Sequence, residues 1–200
     1  AEASAKAYVC SVIVPVWNCC ELTRQCLAAL VKTTEGISWE LIVVDNHSTD
    51  DTASFLSSLA GDVQIISNQE NLGFAKACNQ GARVARSQYL VFLNNDTVPQ
   101  PQWLNPLVSE VEEHQEVGVV GSKLLFADGS VQHAGVVFMR SHLSPYHIYQ
   151  AASSTIPAVN QRREFQAVTA ACMLIRREVF GEVQGFDESF INGFEDVDLC

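Results

Sequence analysis

Three stretches of this chain are continuously apolar, and each stops on a carboxylate or an amide. They are Val12-Ile13-Val14-Pro15-Val16-Trp17-Asn18, Leu41-Ile42-Val43-Val44-Asp45-Asn46 and Tyr89-Leu90-Val91-Phe92-Leu93-Asn94-Asn95-Asp96. Unbroken apolar runs rich in β-branched and aromatic residues read as strands buried on both faces, which leaves no room for chemistry along their length. In open α/β sheets, ligands gather outside the carboxyl ends of the strands. The chain is therefore expected to build a polar site at one sheet edge, with Asp45 and Asp96 as its first members.

The segments between these runs support the same layout. Strand patterns fall at 10–16, 40–44, 63–66 and 89–93, and helical patterns at 22–32, 52–59 and 74–85. Pro99 and Pro101 are expected to open a further helix running to about His114. The alternation β-α-β-α-β-α-β indicates a doubly wound, mostly parallel sheet. Short strand patterns follow at 117–120 and 123–126, then an Asp128-Gly129 turn and a returning strand over 131–139, an antiparallel portion in the C-terminal half. Residues 140–163 show no periodicity and are expected to form a long loop of functional importance. Strand pattern resumes over 165–175, followed by a helix at 176–182. Glu195-Asp196-Val197-Asp198-Leu199-Cys200 reads as a helix start without a stop, so a C-terminal segment is expected to be missing.

Composition narrows the class. The 200 residues make one domain or most of one, and 48% hydrophobic residues suffice for a core. The net charge of −11 excludes a broad contact with a nucleic-acid backbone. A phosphorylated small molecule remains compatible if a divalent cation bridges it to the acidic residues. No stretch approaches the roughly 20 apolar residues of a membrane span, and residues 1–9 lack the pattern of a signal peptide. A cytoplasmic chain is expected, free or at the inner face of a membrane. The seven cysteines include no C-x-x-C pair and read as small buried hydrophobes in a reducing compartment.

Each polar motif also has a purely local reading. Asn94-Asn95-Asp96-Thr97 can ligate a hard cation or simply terminate a strand. Asp45 can accept from a base N–H or a ribose hydroxyl; Ser48 to Asp51 cap the next helix, and Asp45 sits too early to do so. Gly73, in Asn71-Leu72-Gly73-Phe74-Ala75-Lys76, lets a backbone approach a ligand or merely joins a loop to a helix. Glu195, Asp196 and Asp198 are favoured at a helix N-terminus by the dipole, or supply a general base. His114 reads as a helix-end residue. His133, His142 and His147, in or near the long loop, read as solvated more readily than as ligands.

Taken in order, Val12–Asn18, Val43–Asp50, Asn71–Ala75, Phe92–Thr97, Gln132-His133-Ala134-Gly135 and Phe194–Leu199 closely resemble the family 2 glycosyltransferases of GT-A fold, in their rhamnosyltransferase-like branch. The resemblance spans nearly the whole chain. It implies one GT-A domain over 1–200, with a nucleotide-binding half at 1–98 and an acceptor-side half at 99–200. By resemblance Pro15, Val16 and Asn18 line the nucleotide pocket, Asp45 meets the base, and Asn71, Gly73 and Lys76 lie near the nucleotide. Asn94, Asn95 and Asp96 occupy the family's D-x-D position, whose last Asp holds Mg²⁺ or Mn²⁺ against the donor diphosphate. Asp196, paired with Glu195, matches the catalytic base. The implied reaction is an inverting transfer from a nucleotide-diphosphate sugar to a hydroxyl of a glycan, lipid-linked or other acceptor, in surface polysaccharide or glycan synthesis.

Three other readings compete. A sugar-phosphate nucleotidyltransferase would want a Gly-rich basic loop after strand 1, where Trp17 to Leu22 offers none. A receiver-like signalling domain would want an acidic pair at the same place. A catalytically inactive nucleotide-sugar-binding module shares every motif and differs only in turnover.

Overall fold

The computed structural model describes residues 8–140, 144–191 and 193–200. Its first half alternates as the sequence pattern requires: β1 (Cys10–Val16), α1 (Cys20–Thr33), β2 (Trp39–Asp45), α2 (Thr52–Ser57), β3 (Val63–Ser67), α3 (Phe74–Val84) and β4 (Tyr89–Leu93). The second half holds α4 (Asn105–Glu113), the short strands β5 (Val119–Gly121), β6 (Leu124–Leu125), β7 (Val131–His133), β8 (Val136–Phe138) and β9 (Pro145–His147), then β10 (Cys172–Arg176), α5 (Arg177–Glu182) and α6 (Glu195–Leu199).

Six strands form one sheet in the order β3-β2-β1-β4-β10-β5. β1 pairs in parallel with both β2 and β4, β2 with β3, and β10 runs antiparallel to β4 and β5. The strand order reverses between β1 and β4, and the crevice beyond their carboxyl ends is where such a topology receives a ligand. The period-2 alternation divides each central strand between two cores. Val12, Val14 and Val16 pack with Leu27 and Leu30 of α1 and Leu107 and Val111 of α4, while Ile13 packs with Ala77 and Cys78 of α3 and Phe180 of α5. Burying each of these larger aliphatic side chains contributes about 1.5–3 kcal/mol, which explains why β1, β2 and β4 agree with the sequence reading to within a residue or so.

Several expected elements differ. Pro99 and Pro101 do not open a helix; α4 begins at Asn105, with Pro106 in its first turn. Each proline disfavours helical backbone in the residue before it, and Gln102, at φ 63°, is left-handed, so no helix can start earlier. The single strand expected over 131–139 is two, β7 pairing with β6 and β8 with β9. The break falls at Gly135, whose φ of 116° suits glycine alone. The region 140–163 is not structureless: β9 and a 3₁₀ turn at Pro157–Asn160 lie in it, both too short to register as periodicity. Residues 165–171 precede β10 rather than belonging to it. His142 lies outside the described residues. Four of the seven cysteines, Cys10, Cys26, Cys78 and Cys172, are buried as expected; Cys19 and Cys200 are exposed.

The amino-end side of the sheet carries a buried polar cluster that is structural. The Glu40 side chain, 2% exposed, accepts from Ser11 Oγ at 2.6 Å, Arg86 N–H at 2.7 Å and Arg86 Nε at 2.8 Å. Burial alone would raise the Glu40 pKa, but these donors and the guanidinium charge more than offset it and hold the carboxyl below its ordinary range. A depressed folded-state pKa contributes stability above the unfolded value and loses it as pH falls through the folded one. Glu40→Ala is expected to cost about 1–3 kcal/mol, read as a lower urea midpoint at neutral pH, with the difference from the parent shrinking as the solution is acidified. An unchanged midpoint would contradict this assignment.

Candidate active site

At the carboxyl end of β1 the chain turns sharply, with Asn18 and Cys19 both left-handed, at φ 56° and 57°. This turn is laced to the loop after β2. Asn18 Oδ1 accepts Thr49 N–H at 2.7 Å, Ser48 Oγ accepts Asn18 N–H at 2.7 Å, and Asp50 accepts the first amides of both α1 (Cys20) and α2 (Thr52) at 3.0 Å. Pro15 and Val16 are buried; the Val16 side chain belongs to the core, and its carbonyl accepts Asn46 N–H at 2.7 Å. Asp45 is not a helix cap, yet one of its oxygens is occupied: Oδ1 accepts Ser48 N–H at 2.9 Å. Its Oδ2 takes no hydrogen bond from the described residues and is not sealed from solvent.

Beside it, Asn46 joins three elements. Its Nδ2 donates to Gly73 O at 3.0 Å, and its Oδ1 accepts from Leu72 N–H at 3.2 Å and Asn68 Nδ2 at 2.9 Å. Asn71 Oδ1 accepts Gly73 N–H at 3.0 Å and shapes the turn into α3. Gly73 sits at φ 84°, ψ 171°, a region essentially restricted to glycine, and a Cβ there would lie 2.9 Å from Ile191 O. The loop before α6 thus closes directly over this turn. Lys76, half-buried in the first turn of α3, forms no ion pair among the described residues.

The end of β4 completes the edge. Asn94 O accepts Thr97 Oγ1 at 2.7 Å and Thr97 N–H at 3.2 Å, forming a tight turn. Asn95 points inward, its Nδ2 donating to Thr23 Oγ1 of α1 at 2.9 Å. Asp96 is exposed, and its carboxylate takes neither a hydrogen bond nor an ion pair from any described residue. Among the described residues no three His, Cys, Asp or Glu side chains cluster to hold an ion by themselves. A single free hard carboxylate fits a divalent cation shared with a phosphorylated ligand, the usual manner of Mg²⁺ binding, rather than an all-protein cage.

Residues 169–171 connect this end of β4 to α6. Ala171 O accepts Asn94 N–H at 3.0 Å, and Ala170 N–H donates to Asp196 Oδ2 at 3.0 Å. Asp196 Oδ1 accepts Val197 N–H at 2.9 Å, so both carboxylate oxygens are oriented. Glu195 is different: it is 7% exposed and its Oε2 has no hydrogen-bond partner among the described residues. Burial, reinforced by the charge of Asp196, raises its pKa above the ordinary carboxylate range despite backbone donors. Asp198 is exposed. Phe138, Pro145, Phe190, Phe194, Val197 and Asp198 line an open groove beside α6.

The sequence matches the profile of glycosyl transferase family 2 over residues 11–184. The chain belongs to glycosyl transferase family 2. Among curated relatives it is similar to the O-antigen biosynthesis protein RfbC of Myxococcus xanthus, 34% identical over 94% of this chain and 15% of that protein. It is also similar to the N-acetylglucosaminyl-diphospho-decaprenol L-rhamnosyltransferase of Mycobacterium tuberculosis, 25% identical over 86% of this chain and 63% of that protein. The chain thus spans only part of the length of these relatives. Its fold is similar to that of the mannosyltransferase PcManGT from Pyrobaculum calidifontis, solved with GDP-Man and Mn²⁺, with a TM-score of 0.70 at 20% identity over 98% of this chain and 51% of that one. The α/β fold is of the GT-A type, with the mostly parallel sheet and antiparallel additions expected.

In this family 2 glycosyltransferase chain, Asp45, Asp96 and Asp196, taken from three distant stretches of sequence, share the carboxyl edge of one sheet. Asn18, Asn71, Gly73 and Asn94 stand at the same edge, while Val16 and Asn95 turn their side chains into the protein. Asp50 caps α2 as the sequence reading expected and caps α1 as well; sequence reasoning missed Asn46, Asn68 and the 169–171 strap as organisers of that edge, for which the crowding of Asn and Asp just after each strand was the available signal. It also misread His133, which is 1% exposed on β7 rather than solvated, because a histidine next to a loop-like stretch carries no local mark of burial.

Proposed function

We propose that this chain is the catalytic domain of an inverting glycosyltransferase that moves a sugar from a nucleotide-diphosphate sugar to an acceptor hydroxyl in surface polysaccharide or glycan synthesis. The observation that supports the reading is that Asp45 ends β2, Asp96 follows β4, and residues 170–171 bond both Asp196 and Asn94, two residues before Asp96, at the same carboxyl edge. Residues 1–98 bind the nucleotide. Asp45 Oδ2 accepts from the base or ribose, and Asn18, Asn71, Gly73 and Lys76 line the path of the diphosphate. Residues 99–200 take the acceptor, with the groove beside α6 on its approach.

Asp96 would hold Mg²⁺ or Mn²⁺ at the donor diphosphate; the Mn²⁺ recorded with PcManGT accords with this. Such a cation would supply stabilisation of negative charge on the leaving diphosphate. Asp196 accepts the proton of the acceptor hydroxyl, and that oxygen attacks the anomeric carbon from the face opposite the nucleotide. Glu195 is less open to an acceptor hydroxyl, since it is 7% exposed while Asp196 is half-buried. Among the described residues no helix is long and apolar enough to cross a membrane, and a nucleic-acid partner is incompatible with the charge of −11.

The test is a thermal-shift screen of UDP, GDP and dTDP with and without Mn²⁺. Stabilisation that needs both nucleotide and metal is expected; nucleotide binding indifferent to metal, or none, would sink the reading. Release of nucleoside diphosphate from the corresponding sugars then separates a working enzyme from an inactive binding module.

A further inference from the structure

We propose that His133 is a positioning residue for Asp196, acting through the backbone at Thr169 and Ala170, and that His147 holds it in the tautomer this requires. The inference rests on Asp196 as the base, but its structural part can be tested without that reading.

His133 Nε2 accepts two backbone N–H groups, from Gly135 at 3.2 Å and Thr169 at 3.4 Å. A ring nitrogen that accepts is unprotonated, so the neutral imidazole carries its hydrogen on Nδ1. That Nδ1 lies 3.0 Å from His147 Nδ1, with the rings edge to face at 76°. His133 therefore donates, and His147 must present a lone pair. On the far side, Thr169 N–H is followed by Ala170 N–H, which donates to Asp196 Oδ2 at 3.0 Å, and by Ala171 O, which accepts from Asn94. Residues 169–171 lie outside any strand. These contacts rather than a sheet ladder set their direction, and His133 anchors one end. Gly135 belongs to the arrangement: a Cβ there would collide with the ring of Phe165, so the turn that aims its N–H at His133 requires glycine.

Among the described residues, the only charge that acts on His133 is that of His147 across from it on β9; Asp196 has Glu195 and Cys200 as its titratable neighbours. Burial first, and then His147, lowers the His133 pKa to about 4, so His133 stays the neutral ring whose Nε2 can accept from Thr169. A group at position 147 that offers no acceptor leaves the His133 Nδ1–H without its partner and favours the tautomer with the hydrogen on Nε2, which releases Thr169. The acceptor at position 147 is therefore coupled to the orientation of Asp196.

Two measurements on the whole chain test this. In ¹⁵N-labelled protein at neutral pH, His133 is expected to show a hydrogen on Nδ1 and an accepting Nε2. His147→Gln, whose amide oxygen accepts from His133, keeps that pattern, and His147→Leu, which offers no acceptor, moves the hydrogen to Nε2 and shifts the Ala170 amide resonance with it. An Ala170 amide unchanged in His147→Leu overturns the proposal. Turnover is read as nucleoside diphosphate released from UDP-glucose, GDP-mannose and dTDP-rhamnose with Mn²⁺. His133→Leu is expected to lower kcat about 10- to 100-fold with donor KM unchanged. His133→Gln, which places an acceptor near the position of Nε2, restores most of it, and His147→Gln, which keeps the acceptor for Nδ1, retains the parent kcat where His147→Leu lowers it. Equal loss in the Leu and Gln variants, or a change confined to Tm, overturns the positioning role. If Asp196→Asn retains turnover while the Ala170 amide still responds to His147→Leu, the failure lies in the assignment of the base and not in the relay.

Discussion

Asp96→Ala is expected to abolish the metal-dependent part of nucleotide binding while leaving the fold intact. The carboxylate is exposed and has no partner among the described residues, so its loss should change stability by no more than about 0.5 kcal/mol. Its contribution to a bound cation is much larger. One unit charge against another at 4 Å is worth about 4 kcal/mol at an effective dielectric constant of 20, roughly three powers of ten in affinity. The surrounding charge makes the effect one-sided: in a chain of net charge −11 an unbridged diphosphate is repelled, so removing the ligand of the cation removes attraction rather than relieving a clash. Calorimetry with GDP or UDP, with and without Mn²⁺, should show two titrations that differ in the parent and coincide in the variant. A variant that keeps its Mn²⁺-dependent affinity would move the metal away from the end of β4.

Asp196→Asn is expected to keep donor binding and lose transfer by about 10²–10⁴-fold, the range general base catalysis supplies. Asparagine preserves shape but has one acceptor oxygen, whereas Asp196 accepts from both Ala170 and Val197. One of those bonds is lost, at about 1 kcal/mol, so Tm should fall only slightly. Equal donor affinity in calorimetry together with the loss of product separates the chemical step from binding. Retained turnover would transfer the role to Glu195 or Asp198. Of these, Glu195 is handicapped by burial, and Asp198 by standing one helical face away from the Ala170 strap.

The central strands and their polar ends could be read directly. Val12–Val16, Leu41–Val44 and Leu90–Leu93 are apolar on both faces because helices cover both sides of the sheet, a condition written into every residue of the run. The short strands β7, β8 and β9 could not be read, since three residues do not establish a period and Gly135 breaks what resembles one continuous strand.

The sequence by itself determined the alternation of strands and helices in the first half, the edge at which the polar residues accumulate, and the family. Each depends on local hydrophobic pattern or on motifs that are contiguous in the chain. The tertiary structure alone decided how those edge residues are used. Asn95 is turned inward onto Thr23, 72 residues away, Asp196 is clamped by an amide 26 residues before it, and Asp96 is left free of the other described residues. Hydrogen bonds between distant segments form only when packing brings donor and acceptor within about 3 Å, and no local pattern records which partner will arrive.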